Sequence, residues 1–292
     1  MDFIVGILHS ISKYRTTTRS IVKQIIRMIT GKCELERLCQ SNKFDFRECQ
    51  EVEFSLYHSK QEEIRRILVA DKMKVKNALQ TILRLKRIVP DKDLEFLSAM
   101  PKFLCKIISY NALLTKVDQE RSQKYDEENE SHEELLHQLW LFLKGDEKLP
   151  ERYTSKWTEI GFQGKNPATD FRGMGILGLK NLIFLLEKSP ETGMKIFGQS
   201  KHPKYGFSFA IMGINFTGTA FELLRSGKLK GYMYNLKDDE YKINHFQRFF
   251  VDIFSEFSDY WVLRQPPNIM SFNEIKEDYM KEVNKRLVNG SW

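Results

Sequence analysis

The chain has 292 residues, 41% of them apolar and 12% aromatic, which is enough to build a sizeable core and excludes an intrinsically disordered protein. Its 46 Lys and Arg against 39 Asp and Glu leave a net charge of +7, which favours acidic partners: membrane surfaces, acidic proteins or nucleic acid. The cysteines (Cys33, Cys39, Cys49 and Cys105) contain no C-x-x-C pair, which argues against a disulfide framework or a structural zinc site and fits a reducing compartment.

Residues 1–11 are mostly apolar (Phe3, Ile4, Val5, Ile7, Leu8, Ile11) but too few to span a bilayer. Asp2 precedes the run and basic residues follow it, the reverse of a secretory signal. Arg15, Arg19, Lys23 and Arg27 recur every fourth position, opposite Ile21, Val22, Ile25, Met28 and Ile29. Such a basic amphipathic helix either lies in an anionic membrane interface or buries its apolar face on the protein's own core.

Helical periodicity then continues along the chain. Residues 73–88 are apolar at Val75, Leu79, Ile82, Leu83 and Leu85, and Pro90 closes the run; 94–117 carry a similar stripe. Residues 118–130 are almost wholly polar and are expected to be an exposed connector. Ser131 and Glu134 have capping-box spacing for a helix that stops at Gly145. Apolar runs at 176–186 and 207–224 follow, separated by Ser189-Pro190, His202-Pro203 and Tyr205-Gly206 breaks. From 245 to 261 the aromatics Phe246, Phe249, Phe250, Phe254, Phe257, Tyr260 and Trp261 form one helical stripe, expected to face the core. Pro266-Pro267 ends it, and Ser271 with Glu274 is placed to cap a last helix. Alternating strand patterns are absent, so the expected fold is all-α.

Chemistry-bearing motifs are scarce. Gly164-Lys165 is followed by Asn166, and Glu159 stands where a P-loop needs its first glycine, so no phosphate cradle forms there. His132 and His137 are five apart, not the four that a zinc-protease helix requires, and are read as surface histidines. Serine nucleophile elbows are missing. The basic residues between Arg65 and Arg87 are interleaved with Glu62, Glu63 and Asp71 and lack a nucleic-acid reading motif, so a solvated helical face is expected.

What remains is residues 157–179, W-T-E-I-G-F-Q-G-K-N-P-A-T-D-F-R-G-M-G-I-L-G-L, which hold five of the 16 glycines around Arg172. Dense glycine beside an Asn-Pro turn signals tight bends or close backbone approach. On residue chemistry alone, Arg172 is either structural, pairing with Asp170 or a carbonyl while Thr169 or Asp170 caps the next helix, or a planar donor offered to an anionic partner.

This segment resembles the signature of the ELMO domain-containing family, through Trp157, Gly161-Phe162-Gln163-Gly164, Pro167, Thr169-Asp170-Phe171-Arg172-Gly173, Gly175, Leu177 and Leu179. Weaker echoes occur at T-G-K-C-E-L (30–35), H-E-E-L-L (132–136) and N-H-F-Q (244–247), and Asn166 departs from the acidic residue usual before the proline. The resemblance implies an all-helical ELMO domain over 131–285, after an amphipathic segment (1–30) and a helical region (31–130). It further implies a cytosolic GTPase-activating protein for Arf and Arf-like small GTPases, a regulator of membrane traffic and not itself an enzyme. Arg172 would enter the partner's hydrolysis site, while GTP and Mg²⁺ belong to the GTPase. Thr169 and Asp170 would hold the arginine's backbone, Gly173 and Gly175 permit close approach, and Trp157, Phe162 and Phe171 anchor the loop. Gln163 is open between partner contact and loop brace. The alternative is a non-catalytic scaffold or effector that binds a small GTPase, with Arg172 structural.

Overall fold

The computed structural model describes residues 21–40, 44–238 and 240–292. Arg15 and Arg19, two of the four membrane-contact candidates, lie outside them. The described residues form α and 3-10 helices and no strand, the all-α fold that the periodicity predicts. No described helix is long and apolar enough to cross a membrane. The chain divides into two compact units, one ending at Asn111 and one spanning Ala112–Trp292.

The first unit comprises helix α1 (21–30), α2 (Glu34–Leu38), α3 (Phe46–Tyr57), α4 (Glu62–Ile67), α5 (Val75–Lys86) and the early turns of α6 (Leu94–Ser122). Its core gathers Leu35, Val52, Leu56, Ile64, Ile67, Ile82, Phe96 and Phe103, all buried. Asp45 caps α3 by accepting from Glu48 N, and Asn111 Nδ2 donates to the Leu68 and Ala70 carbonyls, closing the turn after α4. Cys33, Cys39 and Cys49 are buried, and burial pushes their thiols up to about 11, about 12 and about 12, so they are unreactive thiols in the core. The basic stretch is interleaved as expected, with Arg66 paired to Glu62 and Arg84 to Glu63.

α1 departs from a simple basic-outward, apolar-inward helix. Lys23 pairs with Glu34, and Arg27 Nη2 donates to the Lys86 carbonyl at 3.3 Å. Ile21, Val22 and Ile25 are half exposed, while Met28 and Ile29 are 78% and 79% exposed. Lys23 and Arg27 thus bind the protein, while Ile21, Val22, Ile25, Met28 and Ile29 face solvent.

The second unit contains the last turns of α6, then α7 (Glu130–Lys144), α8 (Gly175–Lys188), α9 (Pro190–Ser200), α10 (Phe209–Arg225), α11 (Lys230–Met233), α12 (Ile243–Arg264) and α13 (Phe272–Asn289). α8 is apolar nearly all round and central, with α7, α9, α10 and α12 packed about it. Inside that packing, Asn181 Nδ2 donates to Thr217 Oγ1 across 3.1 Å and links α8 to α10. The α12 stripe is the core face that its spacing predicts: Phe246, Phe249, Phe250, Phe254, Phe257 and Trp261 are all buried. Each such ring contributes about 1.5–3 kcal/mol by burial.

Element ends differ from expectation in four places. Residues 118–122 are helical and complete α6. The α7 cap is Asn129, whose side chain accepts from Ser131 N, so Ser131 lies inside the helix and forms no capping box. Pro190 opens α9 as its first residue, a short helix that the break signals concealed. Ser271 gives no side-chain cap, because the turn Ile269–Ser271 runs directly into α13.

Candidate functional site

Between α7 and α8 the chain makes two 3-10 turns, Ser155–Ile160 and Pro167–Arg172, and the signature occupies both. An aromatic chain fixes them. Trp140 of α7 meets Trp157 edge-on at 5.5 Å, Trp157 meets Phe162 at 6.1 Å, and Phe162 meets Phe171 at 5.6 Å. Phe171 then stacks on Tyr125 at 5.1 Å. Trp157, Phe162 and Phe171 are buried, as anchors should be, and each contact adds about 0.5–1.5 kcal/mol beyond burial. Trp157 Nε1 donates to the Arg152 carbonyl at 2.9 Å, so its one polar atom is satisfied.

Backbone constraints complete the frame. Gly161 has φ +91°, and a Cβ there would overlap the backbone of Phe209 as α10 begins; Ile211 N donates to the Gly161 carbonyl at 3.2 Å. Pro167 is buried at the start of the second turn. Asn166 Oδ1 accepts from Ala168 N at 3.0 Å, and Thr169 Oγ1 donates to the Asn166 carbonyl at 3.1 Å. The Asp170 carboxylate accepts from Gln163 N at 3.0 Å, which draws the two ends of the loop together.

Of the two partners expected for Arg172 it is a carbonyl, that of Thr169, and not Asp170; the Asp170 carboxylate accepts from Gln163 N instead. Two expectations are corrected. Neither Thr169 nor Asp170 caps α8: the preceding residue is Met174, with no side-chain cap, and Ile176 N donates instead to the Gln123 carbonyl at 2.9 Å. Gly175 also serves an internal role, not access for a partner. It is buried at φ +53°, and a Cβ there would overlap the Arg121 and Gln123 carbonyl oxygens. Gly173 is exposed and Gly164 partly so, both with open space where a Cβ would stand.

Arg172 itself is exposed. Its Nε donates to the Thr169 carbonyl at 2.8 Å, and among the described residues no carboxylate pairs with it. One edge of the guanidinium is therefore fixed by the turn while the Nη groups remain available as a donor pair. Gln163, also exposed, lies across the Asp170 bridge. Lys23 and Arg27 belong to the first unit, on α1.

The polar stretch before α7 supplies support that the sequence reading did not assign. Tyr125 Oη donates to Glu133, and Arg152 forms a forked pair with the same carboxylate. Burial first, and then the bond to Glu133, raise the Tyr125 phenol above its ordinary range. His132 is buried, not on the surface as its spacing suggested; its Nδ1 accepts from Asp126 N at 3.0 Å, and its Nε2 lies 3.2 Å from Gln123 Nε2. Among the described residues no cluster of His, Cys, Asp or Glu is suited to a metal ion. The one sequence signal was Tyr125, a lone aromatic in a charged run.

Asn166 Nδ2 donates to Glu127 Oε1 at 2.7 Å, and this bond, with one from Tyr153, holds the Glu127 carboxyl below its usual range. A group with a lowered folded-state pKa stabilises above its ordinary pKa and loses that contribution as pH falls. Asn166→Asp keeps the Ala168 cap but sets a second carboxylate against Glu127. Denaturant unfolding at neutral pH is expected to show a loss of about 1 kcal/mol, shrinking in high salt and as the pH falls to where the pair shares a proton.

The ELMO/CED-12 family matches residues 115–276. The chain is 37% identical over 268 residues to human ELMO domain-containing protein 2, covering 92% of this chain and 91% of that protein. It is 34% identical over 293 residues to human ELMO domain-containing protein 1, covering 92% and 88%. Against Dictyostelium discoideum ELMO domain-containing protein B it is 30% identical over 275 residues, covering 91% and 93%. With the family matched over residues 115–276 and relatives matched along nearly their whole length, the chain belongs to the ELMO/CED-12 family.

Proposed function

We propose that this protein accelerates GTP hydrolysis by an Arf or Arf-like small GTPase, inserting Arg172 beside the transferred phosphoryl group. The observation that carries the reading is an exposed guanidinium, anchored through Nε alone and without a carboxylate partner among the described residues, on a rigid turn. An arginine so held cannot run a reaction by itself but can stabilise charge that develops in a site belonging to another protein. The GTPase supplies the phosphate cradle, Mg²⁺ and the oriented water. The protein is then an enzyme regulator with no cofactor of its own.

Single-turnover hydrolysis of GTP preloaded on a panel of Arf and Arf-like GTPases tests this directly. Acceleration of at least one is expected. Binding to the GTP form of one of them without any acceleration would replace the reading by that of a scaffold or effector.

The exposed apolar face of α1 supports peripheral membrane contact by this cytoplasmic regulator. Met28→Glu with Ile29→Glu is expected to reduce co-sedimentation with anionic liposomes several-fold at an unchanged melting temperature. Undiminished sedimentation would remove the contact.

A further inference from the structure

Beside the arginine turn a second feature is left unused by this reading. A groove of about 570 Å³ lies between α10 and α13, lined among others by Met174, Thr219, Glu222, Lys228, Lys276 and Met280. Met174 forms its near end, with its side chain against Gly218 of α10. Met174 follows Arg172 by two residues, so their Cα atoms lie within about 7 Å of each other.

The charges in the groove are not balanced. Glu222, a carboxylate of the lining, is engaged by Arg225, with Nη2 at 2.7 Å. Lys276 is half-buried, and its ammonium lies 5.8 Å from the ring centroids of both Phe216 and Phe272. Among the described residues no carboxylate pairs with it, and burial lowers its pKa with no opposing charge to offset the shift. A half-desolvated cation beside aromatic rings gains from an incoming carboxylate more than a surface lysine does. Lys228 adds a second positive charge to the lining.

We infer that this groove receives an acidic side chain of the protein that Arg172 engages, with Lys276 as the residue that binds its carboxylate. The inference rests on the GTPase-activating reading and adds to it a docking contact that sets affinity, not rate. Arg172 and Lys276 thus have separable effects: one on the plateau of hydrolysis, the other on the concentration needed to reach it.

The test follows single-turnover hydrolysis as a function of activator concentration for wild type, Lys276→Gln and Lys276→Arg, with melting curves on all three. Lys276→Gln is expected to raise the half-saturating concentration about ten-fold with the plateau unchanged, and Lys276→Arg to stay within about two-fold of wild type. An unchanged half-saturating concentration in Lys276→Gln overturns the groove contact while leaving the GTPase reading intact. Should wild type accelerate no GTPase, that reading fails separately. The groove is then judged by lysine acylation of the full chain, read by mass spectrometry with and without hexaglutamate. Protection of Lys276 relative to the exposed Lys281 supports an acid-binding groove, and equal labelling overturns it.

Discussion

Arg172→Lys is expected to abolish GTPase activation while leaving the melting temperature within about 3 °C of wild type. An arginine entering a GTPase site accelerates hydrolysis about 10³–10⁵-fold, which corresponds to roughly 4–7 kcal/mol of barrier. Lysine keeps the charge but loses the planar fork that presents two donors to phosphoryl oxygens. The folded state loses little, because Arg172 is exposed and its one hydrogen bond among the described residues is that of 2.8 Å to the Thr169 carbonyl. Such a bond is worth about 1 kcal/mol at most where solvent competes for both groups. Hydrolysis traces and thermal melts on the same preparation separate the two roles. A variant that activates as well as wild type, or one that loses activity only in step with its melting temperature, would return Arg172 to a structural part.

Gly175→Ala should be, with Gly161→Ala, among the most damaging single methyls in the signature. The residue sits at φ +53°, where an L side chain costs about 1–2 kcal/mol, and the new Cβ would overlap the Arg121 and Gln123 carbonyl oxygens. Overpacking of that kind typically adds about 1–3 kcal/mol, and backbone oxygens cannot swing aside as a side-chain tip can. A total near 2–5 kcal/mol would lower the melting temperature by about 5–15 °C. Gly173→Ala is the control: φ is −84° and nothing lies near the added atom, so a change within about 0.5 kcal/mol is expected. Calorimetry on both variants checks the contrast. Equal melting temperatures would mean that α8 can shift away from the 121–123 carbonyls at no cost.

The long helices were legible because a repeated apolar face is a many-residue signal. The α12 stripe from Phe246 to Trp261 and the stop at Gly145 needed no tertiary information. The motif and its buried anchors Trp157, Phe162 and Phe171 were legible for the same reason: large rings beside glycines leave few alternatives. Pairings between separated polar groups were not. Asp170 might as easily reach Arg172 two residues on as Gln163 seven residues back, and only the folded path of the loop decides for Gln163. His132 reads as a surface residue until the 123–126 turn folds over it. The direction of α1 was equally hidden, since an amphipathic pattern states which residues share a face but not which face meets the protein.

The bond from Ile176 to Gln123, together with the stacking of Tyr125 on Phe171, has a practical consequence for where this protein can be cut. A fragment that starts at residue 131 keeps the whole signature yet loses the Gln123 carbonyl, the Tyr125 ring and the Glu127 carboxylate that brace it. Its arginine turn would be left with an unbonded Ile176 amide and Phe171 bared on one side. Both the compact unit beginning at Ala112 and the family match beginning at residue 115 retain these groups. Residues 123–127 are therefore part of the frame that holds the turn carrying Arg172, and a cut upstream of them keeps that frame whole.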